Sequence, residues 1–289
     1  MEERERSEQI GQLSMPGEDE RYIEALFEKD RFSQVGKLIR GLIHNINGPL
    51  QNISMLVEMF IRGQDQLDHL VHKHSHDEEH DPSREFLKEW ESLFGKQQQR
   101  SQRMIHQISA MTEILRDLMT VMEMERNEPE VDLNLALNKL VRVFQSDLFF
   151  KHHVELELRL TESLPIVRIP GRNLIPALIH LFQNALTAMK ESPRKKLIIE
   201  CRKDLEVGCI RILFQDSGCG TGTCDGEDVL FDIFYSNWPQ SIAKHEQEEK
   251  HFGFGLYAVR RLLEPYGVRI RLVRDGEETK AMLEIPIPL

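Results

Sequence analysis

Apolar residues recur at alternating steps of three and four along two consecutive stretches of this chain, and that pattern leaves few folds open. The first stretch runs through Ile39, Leu42, Ile46, Pro49, Ile53, Leu56, Phe60, Gly63, Leu67 and Leu70. The second runs through Trp90, Phe94, Gln97, Ser101, Met104, Ile108, Met111, Leu115, Leu118 and Met122. A step averaging about 3.5 residues keeps one stripe of a helix turned toward a partner helix. The pattern breaks once, near His76-Asp77-Glu78-Glu79-His80-Asp81-Pro82. Two long amphipathic helices joined by a short break predict an antiparallel hairpin. A hairpin alone leaves an apolar stripe uncovered, so pairing with a second copy into a homodimeric four-helix bundle is expected.

Residues 1–20 are polar, carry Pro16 and Gly17, and read as a flexible tail. The hairpin then occupies 21–127, and from about Pro129 the pattern changes to short mixed elements, which gives a second domain over 128–289. Helices are expected near Leu133–Phe144, Asn173–Lys190 and Gly255–Glu264. Strands are expected near Val154–Leu160, Ile166–Ile169, Lys196–Arg202, Cys209–Gln215, Val268–Val273 and Met282–Pro286. Helices alternating with pairs of strands predict one layer of each. The fold class expected is α+β, a long helical hairpin followed by an α/β sandwich, and 289 residues are enough for both.

Inside the second domain a β-rich run, Ile210, Ile212, Leu213 and Phe214, delivers Asp216 into the turn Asp216-Ser217-Gly218-Cys219-Gly220. A second glycine turn, His251-Phe252-Gly253-Phe254-Gly255-Leu256, opens a helix. Glycine lets backbone approach a ligand closely, and free N–H groups at a helix start suit an anion. Two such turns around one variable segment suggest a nucleotide pocket. Upstream, Leu174 to Ala185 reads as a buried helix with Asn184 near its middle. Asparagine is a poor interior helix residue. Its place there has two explanations, a hydrogen bond within the core or an uncharged oxygen ligand for Mg²⁺, an ion that takes few protein ligands when phosphates complete its shell.

In that order, Asn184, Asp-x-Gly-x-Gly, the Phe-rich segment from Leu230 to Ser236 and Gly-x-Gly-Leu resemble the N, G1, F and G2 boxes of the histidine-kinase branch of the Bergerat-fold ATPases. Gly41-Leu42-Ile43-His44-Asn45-Ile46-Asn47-Gly48-Pro49-Leu50 is similar to the phosphoacceptor H box of the same family. The resemblance implies a two-component sensor histidine kinase whose α/β sandwich is of the Bergerat ATPase type and binds ATP with Mg²⁺. His44 would accept the γ-phosphoryl group and pass it to an aspartate on the receiver domain of a response regulator. It further implies that Asp216 accepts from the adenine amino group, Gly218 and Gly220 shape the base site, Gly253 and Gly255 admit the phosphates, and Asn184 holds Mg²⁺. Thr221 to His251 would be the lid, with Phe231 and Phe234 anchoring it in a groove.

On the register of the first stretch, His44 falls midway between the seam positions Leu42 and Ile46, on the outward face. A neutral imidazole, with an unperturbed pKa of about 6.5, is a competent nucleophile there. Pro49 removes one helical hydrogen bond five residues on and predicts a kink. The chain departs from the family pattern at four places. Asn45 stands where an acid usually follows the phosphoacceptor, and it orients an imidazole without accepting its proton. His180 replaces the first N-box asparagine, Trp238 a lysine after the F box, and His251 the first glycine of the G2 run. These departures keep a second reading in play, a catalytically impaired, kinase-like dimeric scaffold or phosphotransfer protein that binds response regulators. A Bergerat-fold serine kinase is a third.

A net charge of -11 argues against nucleic acid or anionic lipid as the main partner. No stretch approaches the roughly 20 apolar residues of a membrane span, and the charged N-terminus lacks a signal's apolar core. A soluble, cytoplasmic protein is expected, taking its stimulus from a separate sensory protein or through the bundle tip. Cys201, Cys209, Cys219 and Cys224 then read as free thiols. The histidines near the break, His69, His72, His74, His76 and His80, read as a solvated polar tip rather than a metal site.

Overall fold

A computed structural model describes residues 16–75, 84–220, 228–236, 253–275 and 278–287, with the side chains at 16–20, 44, 45, 74, 75, 84, 85 and 275 left aside. The expected break at His76–Pro82 lies outside the described residues, as do Cys224, Trp238, His251 and most of the expected lid. Two long helices come first, α1 (Pro16–Ser75) and α2 (Arg84–Asn127). Helix α1 begins at Pro16, inside the stretch expected to be tail, and stays helical through Pro49. Gln97 Nε2 donates to the Phe60 carbonyl at 2.7 Å, Arg100 to the Met59 carbonyl at 2.6 Å, and Arg31 pairs with Glu125. Rising positions on one helix meet falling positions on the other, which makes the hairpin antiparallel. Gly63 permits the close crossing, since a Cβ there would stand 2.7 Å from Gln97 and Arg100.

Only part of the expected seam is closed within the chain. Leu42, Leu56, Leu67, Leu70, Gln97 and Leu118 are buried, whereas Ile39, Phe94, Ile108, Leu115 and Met122 are exposed. Two helices cover one face of each other, and the remaining apolar positions form a second stripe. No helix among the described residues is long and apolar enough to cross a membrane.

The second module contains α3 (Leu133–Phe144), α4 (Leu148–His153), β1 (Glu155–Leu160), α5 (Gly171–Met189), β2 (Lys196–Asp204), β3 (Cys209–Asp216), α6 (Gly255–Leu263), β4 (Arg269–Asp275) and β5 (Glu278–Pro286). The five strands stand in the order β1-β2-β3-β5-β4, with β1 and β2 parallel and the other pairs antiparallel. Along β3, Ile210, Ile212, Phe214 and Asp216 are buried while Arg211, Leu213 and Gln215 are half-exposed. This two-residue period is the signature of a strand with one covered face. Helix α5 lies on that face. Phe182 stacks on Phe144 with centroids 4.6 Å apart and meets Phe214 edge-on at 5.0 Å, tying α3, α5 and β3 into one core.

Two elements differ from expectation. Ile166–Ile169 forms no strand and contributes only a bridge from Val167 to Val131. Pro165 and Pro170 flank it and have no N–H to extend a ladder. Helix α4 was not anticipated; its Asp147 cap accepts from Phe150 N at 3.0 Å and Phe150 is buried. An aspartate just ahead of Leu-Phe-Phe is the sequence signal that marks it.

Candidate functional site

The same alternation that builds β3 aims Asp216 at the helix layer, at the strand's last position. The antiparallel register sets Thr279 of β5 directly opposite Asp216, and Ala281 opposite Phe214. Both polar side chains therefore enter one concavity from adjacent strands. Helix α5 supplies the facing wall through His180, Asn184 and Ala188, spaced by four and so on one side of the helix. Gly220, Gly253 and Gly255 complete the rim of a cavity of about 580 Å³, within the range of small-molecule sites.

The base of this cavity is buried and polar at two points. Asp216 is 6% exposed, and its Oδ1 accepts from Gly218 N at 2.9 Å. Burial pushes its carboxyl up to about 7, against the pull of the Gly218 N–H and with a further push from Glu278. Thr279 is equally buried, and its hydroxyl has no hydrogen-bond partner. A buried hydroxyl without a partner beside a buried carboxyl asks for a ligand that supplies both a donor and an acceptor. Gly218 fits because its loop lies on the end of α5: Cys219 N donates to the Ala188 carbonyl at 3.0 Å, and a Cβ at 218 would stand 2.4 Å from Ala188 Cβ.

At the opposite end, α6 starts at Gly255, where a Cβ would lie 3.2 Å from His180 Nδ1 and 3.7 Å from Asn184 Oδ1. The start of α6, the imidazole and the asparagine amide thus converge. Asn184 offers one uncharged oxygen, and among the described residues no group of three or more His, Cys, Asp or Glu side chains could hold a metal ion. A cation here would draw most of its ligands from phosphate and water. The segment after β3 touches the same rim. Leu230 and Phe231 are buried, while Phe234, expected as a buried anchor, is 52% exposed at the cavity's edge.

The hairpin also contributes, which local sequence pattern did not reveal. His180 Nε2 lies 2.8 Å from Asp30 Oδ2, and Gln34, itself buried, donates to the same carboxylate oxygen at 2.8 Å and reaches the same ring nitrogen. Phe27 meets Phe254 edge-on at 5.1 Å and stacks on Tyr257 at 6.2 Å. The first turns of α1 therefore wall the cavity. Of the residues expected at the site, Asn184, Asp216, Gly220, Gly253 and Gly255 line this one cavity, with Gly218 shaping its floor. His44 and Asn45 lie on the helical backbone of α1, but their side chains lie outside the description. His69 and His72 are exposed; His74, His76 and His80 lie outside the described side chains.

A mixed five-stranded sheet with helices on one face thus holds a pocket between a strand-end aspartate and a glycine-led helix. Residues 171–289 match the family described as Histidine kinase-, DNA gyrase B-, and HSP90-like ATPase. No curated protein matches the sequence. Among solved structures, the chain is similar to the catalytic domain of histidine kinase ThkA, at 20% identity over 54% of this chain and 93% of that one, with a TM-score of 0.45. It is similar to the Acinetobacter baumannii histidine kinase AdeS at 18% identity over 85% of this chain and 98% of that one, with a TM-score of 0.42. The mycobacterial sensor histidine kinase MprB matches at 19% identity over 54% of this chain and 95% of that one, with a TM-score of 0.42.

Proposed function

We propose that this chain is an ATP-dependent protein histidine kinase. Residues 128–289 bind Mg-ATP, residues 21–127 form the dimerising phosphoacceptor hairpin, and His44 receives the γ-phosphoryl group. The imidazole nitrogen of His44 forms the new bond to phosphorus while the bond to the bridging oxygen breaks and ADP leaves. Phosphoryl transfer asks mainly for alignment and charge neutralisation. The phosphoryl group then passes to an aspartate on a response-regulator receiver domain.

The observation that carries this reading is that α1, the helix bearing His44, lines the same cavity as Asp216 and Asn184 as far as Arg40, one helical turn short of position 44. The residues of the cavity suit the nucleotide. Asp216 as carboxylate accepts from an adenine amino group, the Thr279 hydroxyl finds the partner it lacks, and the start of α6 faces phosphate. Asn184 would hold Mg²⁺ through its amide oxygen. Dimerisation is supported by the second apolar stripe on the hairpin, which includes Ile105, Ile108, Leu115 and Met119.

Incubation with γ-labelled ATP tests the reading. The expected product is a phosphoprotein labile in acid and stable in alkali, and the label should vanish in His44→Gln. Label that survives this substitution contradicts the assignment. Nucleotide binding without any self-labelling instead supports the kinase-like scaffold, for which Asn45 beside His44 is the sequence argument.

A further inference from the structure

The nucleotide reading leaves open what neutralises the phosphates. The sheet, α5 and α6 supply the cavity with Asp216, neutral side chains and His180, and no lysine or arginine among the described lining residues comes from them. The described cations on the cavity wall are Lys29, Lys37 and Arg40, and all three belong to α1. They recur with Ser33 at helical spacing along one stripe, so a single face of α1 presents them together. That face is held against the module by the Asp30–His180–Gln34 cluster and by Phe27 on Phe254 and Tyr257. Those contacts fall on the phosphate side of the cavity, since His180 Nδ1 and Asn184 Oδ1 are the polar atoms nearest the start of α6.

We infer that the phosphate-binding cations of this site are supplied by the hairpin, with Lys37 and Arg40 as polyphosphate-binding residues and Asp30 as the positioning residue that seats their helix. Among the described lining residues, a polyanion bound by the module alone would meet the start of α6 and no lysine or arginine. With α1 in place, the cations stand on the helix that carries His44, and binding of phosphate draws phosphoacceptor and donor together. The contact of His180 Nε2 with Asp30 turns the other ring nitrogen, Nδ1, toward the start of α6.

The inference rests on the nucleotide reading above, and calorimetric titration of the full chain with ATP, ADP and adenosine in Mg²⁺ separates the two. The Lys37→Ala/Arg40→Ala variant should bind ATP about tenfold or more weakly, as expected when charged hydrogen bonds are lost, and should bind adenosine as the unmodified protein does. Its ATP affinity should also depend less on salt. Lys37→Arg/Arg40→Lys, which keeps both charges, should retain most of the preference for ATP over adenosine. Asp30→Asn should shift ATP affinity in the direction of the double alanine variant. ATP bound equally by the unmodified protein and the double alanine variant overturns this inference alone, and so does adenosine weakened as much as ATP. An unmodified protein that takes up neither ligand overturns the nucleotide reading and this inference with it.

Discussion

At the residue scale, Asp216 and Thr279 face one another across a ladder and put opposite demands on whatever fills the space between them. The Asp216 carboxyl titrates near 7 because burial penalises its charge. An unfolded aspartate titrates near about 3.9. Between these values the folded protein holds a proton that the unfolded chain has released, so the stability contributed by the protonated carboxyl is complete below about pH 4 and is lost as pH rises through 7. Thermal unfolding between pH 5 and 8 should show this fall in the unmodified protein and a weaker one in Asp216→Asn. Adenosine affinity should move the other way, because an ionised carboxylate is the stronger acceptor for an adenine amino group. Affinity should climb as pH rises through 7, and a flat profile would remove Asp216 from the base site. For Thr279→Val, loss of a hydroxyl that has no partner in the fold should leave thermal stability unchanged or raised by up to about 1 kcal/mol. Adenosine binding should weaken several-fold, and titration beside melting curves separates the two effects.

At the element scale, the pocket depends on how closely the segment after β3 can press on the start of α6. Gly253 has φ of +65°, and a Cβ there would stand 2.3 Å from the Tyr235 carbonyl oxygen. Gly253→Ala therefore meets an unfavourable backbone region and a backbone clash together, a cost of about 1–3 kcal/mol. It should lower the melting temperature and weaken nucleotide binding; unchanged adenosine affinity would show that this contact does not shape the site. Much of this module was legible beforehand because its cues are local. The alternation through Ile210, Ile212 and Phe214 announces both the strand and the inward Asp216, and the four-residue spacing of His180 and Asn184 announces the wall opposite. The placement of Asp30 was not legible. It is joined to His180 across 150 residues of sequence, and neither residue's neighbours betray a contact made only when two domains pack. The missed helix α4 and the absent strand at Ile166–Ile169 had local cues, an aspartate cap and two flanking prolines, which the apolar pattern outweighed.

At the scale of the whole molecule, the hairpin has two jobs that its sequence pattern blends into one. Heptad positions such as Leu56, Leu67 and Leu118 are buried within the chain, but Ile108, Leu115 and Met122 continue the same three-four rhythm on an exposed face, joined there by Ile105 and Met119. On α1, Ile43, Leu50 and Val57 repeat the pattern at intervals of seven, also exposed. Isolated exposed apolar residues are ordinary, but aligned stripes on both arms of one hairpin mark an interaction face. A second copy would cover it by forming a four-helix bundle. Sedimentation of the full chain should give a dimer, and Ile105→Glu/Met119→Glu should shift the equilibrium strongly toward monomer, because two carboxylates would have to be desolvated in each stripe. Neither Ile105 nor Met119 lines the Asp216 cavity, so adenosine affinity should be unchanged in the variant. A protein that sediments as a monomer at all accessible concentrations would remove the bundle. A dimer indifferent to both glutamates would place the interface on some other face.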